Sequence, residues 1–155
     1  MRDAIIAPLR QIHGVSDKVL TMALSSLLLG APNRMRLWQE VGASMIAIDT
    51  LVHNFLHRTG VLHRFGAVHA YGSACYRRGG CADVIQAVAE RIDARAFNAA
   101  FPMVFPRFVQ HAIWRFCAEA GLNRCNGRRI ADRAPCQQAN CPAFANCARV
   151  PLKPA

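Results

Sequence analysis

Four of the seven cysteines lie close together near the carboxyl end of the chain, in a segment with few apolar residues. They are Cys125, Cys136, Cys141 and Cys147, separated by ten, four and five residues. Four thiolates can hold a zinc ion or a 4Fe-4S cluster, and either would replace the hydrophobic core that such a loop lacks. Structural zinc sites usually pair cysteines across about two to four residues, whereas cluster ligands tolerate wider, uneven gaps. The spacing therefore favours a 4Fe-4S cluster, with zinc as the alternative.

The other three cysteines are interpreted differently. Cys117 lies on the apolar face of a helical segment, and Cys75 and Cys81 lie in a loop rich in glycine and arginine. A second metal site from Cys75, Cys81 and His69 is the alternative reading of this loop. The pattern favours three cysteines without a ligand role.

Three histidines lie in or near one helical segment. His53 and His57 are four residues apart, which places both on one helix face, and His63 follows. Two histidines at this spacing can bind a metal, but no carboxylate or third ligand lies at a matching spacing. We therefore interpret all three as solvated or DNA-facing side chains.

The chain is strongly basic, since 19 Lys and Arg residues face nine acidic ones and the formal net charge is +10. Such a surplus is typical of proteins that bind a polyanion, with nucleic acid as the leading class. Arg124, Arg128 and Arg129 lie among the C-terminal cysteines and would form a positive rim suited to phosphates. A solvated face is the alternative, but this placement favours DNA.

Helical periodicity dominates the chain. Apolar residues recur at helical spacing in segments 2–11, 17–29, 50–58, 82–92 and 107–120, and less regularly in 33–48. Ser16 and Asp49 precede two of these segments as N-caps, and Gly30 and Gly60 follow them as stops. No segment shows the sustained alternation of a strand. The predicted fold class is all-α, in a single domain over residues 1–155 with 53% hydrophobic side chains.

The longest uncharged run, Val19–Asn33, is shorter than the roughly 20 apolar residues that span a bilayer. It predicts a buried helix, with no membrane span and no membrane partner. An odd number of cysteines, most of them crowded together, fits metal ligation better than a disulfide framework. We expect a cytoplasmic, nucleoid-associated bacterial protein.

Three segments resemble, in order, the helix-hairpin-helix DNA glycosylases of the endonuclease III type. Ile12–Lys18 (IHGVSDK) is similar to the family hairpin, and Ala47–Arg58 is similar to the segment that carries the family's aspartate. His111–Trp114 and the four cysteines after it are similar to the closing helix and iron–sulfur loop. The resemblance covers most of residues 10–147.

The resemblance implies a helix-hairpin-helix at residues 1–30, a helical body at 49–121 and a 4Fe-4S loop at 122–150. It also implies roles for single residues. Lys18 takes the position of the lysine nucleophile of bifunctional members, and Asp49 aligns with the essential aspartate. Main-chain N–H groups of Gly14, Val15 and Ser16 would contact DNA, and Cys125, Cys136, Cys141 and Cys147 would hold the cluster.

The chain also departs from the family pattern. His13 stands where the hairpin has proline, Ser16 stands where it has a second glycine, and residues 33–45 look like an insertion. The helices that form half of the family's base pocket precede the hairpin, whereas Met1 lies about ten residues before it. We expect either a start farther upstream or a reduced module.

The predicted function is therefore base-excision repair of duplex DNA, with a glycosylase activity and an AP lyase activity that depends on Lys18. The alternative is a non-catalytic nucleic-acid-binding module stabilised by an iron–sulfur cluster or zinc. A redox or ligand-sensing regulator is a third reading.

Overall fold

The computed structural model describes residues 2–9 and 11–154. Within these residues the chain forms seven α-helices and no strand, which confirms the all-α prediction. The helices are α1 (Arg2–Leu9), α2 (Asp17–Leu29), α3 (Arg36–Ser44), α4 (Thr50–Arg58), α5 (Val61–Arg64), α6 (Cys81–Ala89) and α7 (Pro106–Cys117). Short 3-10 turns lie at Asn33–Met35, Ser73–Tyr76, Ala94–Ala96 and Phe144–Asn146.

The predicted helix boundaries hold best where a capping residue marks them. Helices α2 and α4 have the predicted bounds, because Ser16 accepts a hydrogen bond from Val19 N and Asp49 accepts one from Val52 N. Helix α7 ends at Cys117, earlier than predicted, because the chain folds back and Leu122 N donates to Arg115 O. Helix α6 likewise ends at Ala89 instead of residue 92, and α5 was not predicted at all.

The described residues divide into two compact units. Unit 1 comprises the residues up to Ala47 together with Ile85–Gln110, and unit 2 comprises Ile48–Val84 together with the residues from His111 onward. The sequence-based subdivision into hairpin, body and loop stays a prediction, as does the single domain.

Unit 1 is built around the packing of α2 on α3. Its core contains Ile6, Leu20, Leu28, Val41 and Met45, all buried. The Ser25 hydroxyl donates to Gly42 O at 2.8 Å inside this contact. A Cβ atom on Gly42 would lie 2.9 Å from Leu28 Cβ, so the close approach of the two helices requires glycine there.

Unit 2 packs α4 against the carboxyl end of α7 and the cysteine-rich segment. Its core contains Cys117, Cys125 and Ile130, with Phe55 and Phe116 packed against them. The chain after Cys147 returns to the end of α4, where Val150 N donates to Arg58 O at 2.9 Å. This return fixes the C-terminal segment beside α4.

The longest helix in the described part of the chain, α2, has 13 residues. None of the helices there has the length and apolar composition to cross a bilayer. The prediction of no transmembrane helix is confirmed for these residues.

Candidate metal centre and nucleic-acid surface

The turn between α1 and α2 has the geometry of a tight hairpin. Gly14 adopts a positive φ of 82°, which glycine tolerates because it lacks Cβ. Ser16 is exposed and caps α2, and Val15 is half-buried against the unit 1 core. The predicted DNA-contacting residues Gly14, Val15 and Ser16 therefore form one turn at the start of α2, in which the Val15 N–H donates to Ile12 O at 3.4 Å.

The two predicted catalytic residues lie in different units. Lys18 is in unit 1, near the start of α2, and its side chain is exposed. Asp49 is in unit 2, half-buried, and its Oδ1 accepts a hydrogen bond from Val52 N at 2.9 Å. One carboxylate oxygen of Asp49 is thus used as the N-cap of α4, as predicted.

The four C-terminal cysteines line one pocket in unit 2. Cys125 is buried and Cys136, Cys141 and Cys147 are half-buried around it, although up to 22 residues separate them in the chain. Phe55, Phe116, Ile130 and Phe144 supply apolar walls. The four side chains thus line one pocket, and their joint binding of a cluster stays a prediction.

Cys117 lies beside this pocket and is fully buried. A hydrogen bond from its thiol holds the pKa of Cys125 below its usual value, while the same contact and burial raise the pKa of Cys117. A lowered pKa favours the thiolate form that binds metal. Cys117 also packs with Cys125 and Ile130 in the core of unit 2.

Arg58, which the sequence analysis left without a role, also lines the cysteine pocket. It is 2% exposed, and its guanidinium donates to Ala131 O at 3.2 Å and to Asp132 Oδ1 at 3.0 Å. A buried cation beside four thiols offsets the negative charge they carry when ionised. Arg58 is therefore part of the electrostatics of this site.

The predicted DNA-contacting arginines of the cysteine loop lie at one surface groove. Arg124, Arg128 and Arg129 are exposed and line it together with Asn123 and Gln138. Arg128 also pairs with exposed Glu119. Because Arg124 lines both this groove and the cysteine pocket, the two features adjoin.

A second set of metal donors lies in unit 2, away from the C-terminal cysteines in sequence. The donor atoms of His53, His69, Cys75 and Cys81 all lie within 4.8 Å of one another. His53 Nδ1 is 3.3 Å from Cys81 Sγ and 3.6 Å from Cys75 Sγ, and His69 Nε2 is 3.4 Å from Cys81 Sγ. This set could bind a metal ion such as zinc.

Four elements bring these donors together. His53 lies in the first turn of α4, His69 follows α5, Cys75 lies in the 3-10 turn, and Cys81 begins α6. Burial lowers the pKa of His53 to about 4, with smaller effects from His69 and His57, so its imidazole is neutral near pH 7. Burial and the neighbouring Cys75 thiol raise the pKa of Cys81.

Two sequence-based interpretations need correction here. His53 is 5% exposed, so its reading as a solvated or DNA-facing side chain is wrong. Cys75 and Cys81, read as bystanders, are buried beside two histidines, and the alternative of a second donor set fits the geometry. Helical spacing could not identify the neighbours of His53, because His69, Cys75 and Cys81 lie 16 to 28 residues later in the chain.

His57 and His63 do not belong to this donor set. Their rings meet edge to face at 5.2 Å, and His63 is exposed. Burial, with help from His63 and Arg58, lowers the pKa of His57. The sequence signal for this donor set is the recurrence of isolated histidines and cysteines between His53 and Cys81.

Comparisons of this chain with protein-family models, with curated protein sequences and with solved structures find no match.

Proposed function

We propose that this chain binds duplex DNA and acts in base-excision repair, as the helix-hairpin-helix glycosylases that it resembles do. The observation that carries the proposal is the adjacency of the cysteine pocket and the basic groove through Arg124. A groove lined by exposed arginines suits phosphate contacts, which position a protein on DNA without reading its sequence. The hairpin turn at Gly14 would supply a second phosphate contact through its N–H groups.

A 4Fe-4S cluster is the proposed occupant of the cysteine pocket, with zinc as the alternative. In a cluster each thiolate binds a different iron, so the four sulfur atoms stand farther apart than around one ion. Among the residues described, the compact set of metal donors is that of His53, so the choice of a cluster rests on the spacing of the four cysteines in the sequence. Cys125, Cys136, Cys141 and Cys147 would hold the cluster, which would fix the loop that carries the arginines.

Lys18 and Asp49 are the proposed catalytic residues. The Lys18 amine would form a bond to C1′ of the damaged nucleotide as the bond from C1′ to the base breaks, and the base would leave with a proton from water. The C1′–O4′ bond would then break, with O4′ taking a proton, to give a Schiff base between Lys18 and the opened sugar. The Asp49 carboxylate would stabilise positive charge that develops on the sugar, since only one of its oxygens is engaged by Val52 N. The target base must leave the duplex for this chemistry.

The exposure of Lys18 favours a second candidate, a DNA-binding module without lyase activity. A lysine nucleophile needs a lowered pKa, which burial or nearby cations provide, and the Lys18 side chain is exposed. In this second candidate function Lys18 contacts a phosphate, and the basic groove and the hairpin turn also bind phosphates.

The DNA-binding proposal is tested by the salt dependence of affinity for a duplex oligonucleotide. We expect log affinity to fall linearly with log salt concentration, and Arg128→Ala/Arg129→Ala to reduce that slope by about 1 to 2. The matched control is Arg77→Ala/Arg78→Ala. It removes the same charge from two consecutive exposed arginines of unit 2 that do not line the groove. Equal losses in the two double variants would mean that net charge, not the groove, binds DNA.

A further inference from the structure

We propose that His53, His69, Cys75 and Cys81 bind one zinc ion as a closed structural site. This ion would hold the loop between α5 and α6 against α4. The proposal is independent of the DNA-repair function and of the C-terminal cysteines.

The spacing of the donors matches the coordination sphere of a single tetrahedral ion. With Zn–S near 2.3 Å and Zn–N near 2.0 to 2.1 Å, a tetrahedron places its N and S atoms about 3.5 Å apart. Three of the four N–S separations of the set are 3.3, 3.4 and 3.6 Å, and all four donor atoms lie within 4.8 Å of one another. These three separations match the edges of a tetrahedron around zinc.

The same distances argue against a two-iron cluster with two histidines and two cysteines. In such a cluster the histidines bind one iron and the cysteines bind the other, which separates the nitrogen pair from the sulfur pair. Here both histidines lie within 3.4 Å of the Cys81 sulfur, as donors to one ion do.

The orientation of His69 is fixed by a contact behind the donor set. Its Nδ1 lies at hydrogen-bond distance from Ala67 O, and a carbonyl oxygen can only accept, so Nδ1 carries the proton. This leaves the lone pair of Nε2 directed at Cys81 Sγ. Histidine ligands in zinc sites are held in this way by a backbone carbonyl.

Burial indicates a structural role rather than a catalytic one. Cys75 and Cys81 are 0% exposed and His53 is 5% exposed. Four protein donors complete a tetrahedron, whereas a catalytic zinc keeps one position for water or substrate. The site therefore has no place for a reacting molecule.

The loop that the ion would hold has little core of its own. Between α5 and α6 the large side chains of Phe65, Val68, Tyr71 and Tyr76 are all more than 40% exposed. A metal ion replaces the missing hydrophobic contacts in such segments. Without it, this stretch would depend on a few hydrogen bonds.

One of these hydrogen bonds connects the loop to the start of α4. The Tyr76 hydroxyl, next in sequence to Cys75, accepts from Ile48 N at 2.8 Å. Ile48 directly precedes Asp49, the N-cap of α4. Zinc at Cys75 would therefore stabilise the backbone that positions Asp49.

The wild-type protein, purified after growth with both iron and zinc, tests the proposal directly. We expect one zinc per chain by elemental analysis. Zinc-edge X-ray absorption, which iron does not disturb, should give two sulfur ligands near 2.3 Å and two nitrogen ligands near 2.0 Å. A protein without zinc, a zinc with four sulfur ligands, or a Cys75–Cys81 disulfide found by peptide mapping would overturn it.

Variants then assign the ligands. Cys81→Ser and His69→Gln should lose zinc and keep any iron, while His63→Gln, an exposed histidine in the same unit, should keep both. Zinc retained in full by both Cys81→Ser and His69→Gln would contradict the assignment. If a variant fails to fold, the X-ray absorption spectrum of the wild-type protein still tests the assignment, because it counts the sulfur and nitrogen ligands of zinc without any substitution.

Discussion

The guanidinium of Arg58, buried beside the four C-terminal cysteines, lies 3.0 Å from the carboxylate of Asp132, 74 residues later in the chain. Asp132 also pairs with Lys153, whose Nζ lies 3.0 Å from its other oxygen. One half-exposed carboxylate thus joins the end of α4 to two points of the C-terminal segment. Its loss would leave Arg58 buried without a counter-charge, which is costly.

Asp132→Asn should therefore lower the thermal unfolding midpoint at neutral pH. The hydrogen bond from Lys153, with the charges of Lys153 and Arg58, holds the pKa of Asp132 below its usual value. A lowered folded-state pKa adds stability above the unfolded-state pKa, and this stability is lost as pH falls through the folded-state value.

The difference in midpoint between wild type and Asp132→Asn should thus be largest near pH 7 and shrink as pH falls below the usual pKa of a carboxyl group toward the lowered pKa of Asp132. Unfolding followed by circular dichroism from pH 7 to pH 3 measures it. Glu119→Gln, which breaks the exposed pair with Arg128, is the control and should change the midpoint little. A difference that persists unchanged in acid would contradict the role of the charge.

Gly60→Ala should destabilise the protein by more than about 2 kcal/mol. Gly60 has a φ of 77°, and a Cβ there would lie 2.5 Å from Ala148 Cβ, where the C-terminal segment returns to α4. A left-handed alanine alone costs about 1 to 2 kcal/mol, and the clash adds to it.

Gly66→Ala is the matched control for this close approach. Gly66 also has a positive φ, of 61°, but no atom lies within 4 Å of the Cβ position. Chemical denaturation of both variants separates the backbone cost from the clash. Equal losses of stability in Gly60→Ala and Gly66→Ala would mean that Ala148 does not pack closely against Gly60.

Iron content should follow the C-terminal cysteines alone. We expect protein purified without oxygen to be brown and to contain about four irons, because the four thiolates would hold a cluster. Cys136→Ser should lose the colour and the iron while keeping zinc, and Cys81→Ser should do the reverse. A colourless wild type with zinc bound to these four cysteines would contradict the cluster.

Lyase chemistry should depend on Lys18. Borohydride should trap wild type on abasic-site DNA by reducing the Schiff base, and Lys18→Ala should abolish the crosslink. The only other lysine in the sequence, Lys153, provides the matched control, so Lys153→Ala should still crosslink. No crosslink in cluster-loaded wild type would favour the module without lyase activity.

Asp49→Asn should keep DNA binding and impair turnover. Asparagine caps a helix about as well as aspartate, so α4 should still begin at Thr50. The substitution removes only the negative charge that is proposed to act on the sugar. The measurements are the single-turnover rate of base release and the affinity for duplex DNA. A specific loss of chemistry lowers only the rate, whereas a loss of folding would lower both.

The sequence by itself determined the all-α class and the bounds and caps of two helices. Residues 17–29 and 50–58 form helices with the predicted bounds because periodicity and the caps Ser16 and Asp49 are local signals. The crowding of Cys125, Cys136, Cys141 and Cys147 in one short segment predicts a shared metal site, and in the structure all four line one pocket.

Only the tertiary structure decided which residues meet across long stretches of chain. His53 is separated from Cys81 by 28 residues and from His69 and Cys75 by 16 and 22 residues that include helix α5, so no spacing rule could assign them to one another. Arg58 and Asp132 are 74 residues apart, and nothing in either segment marks a buried ion pair. Local sequence signals predict local backbone structure. Metal-donor sets and buried ion pairs depend on how helices and loops pack, and the spacing of residues in one sequence does not predict that packing.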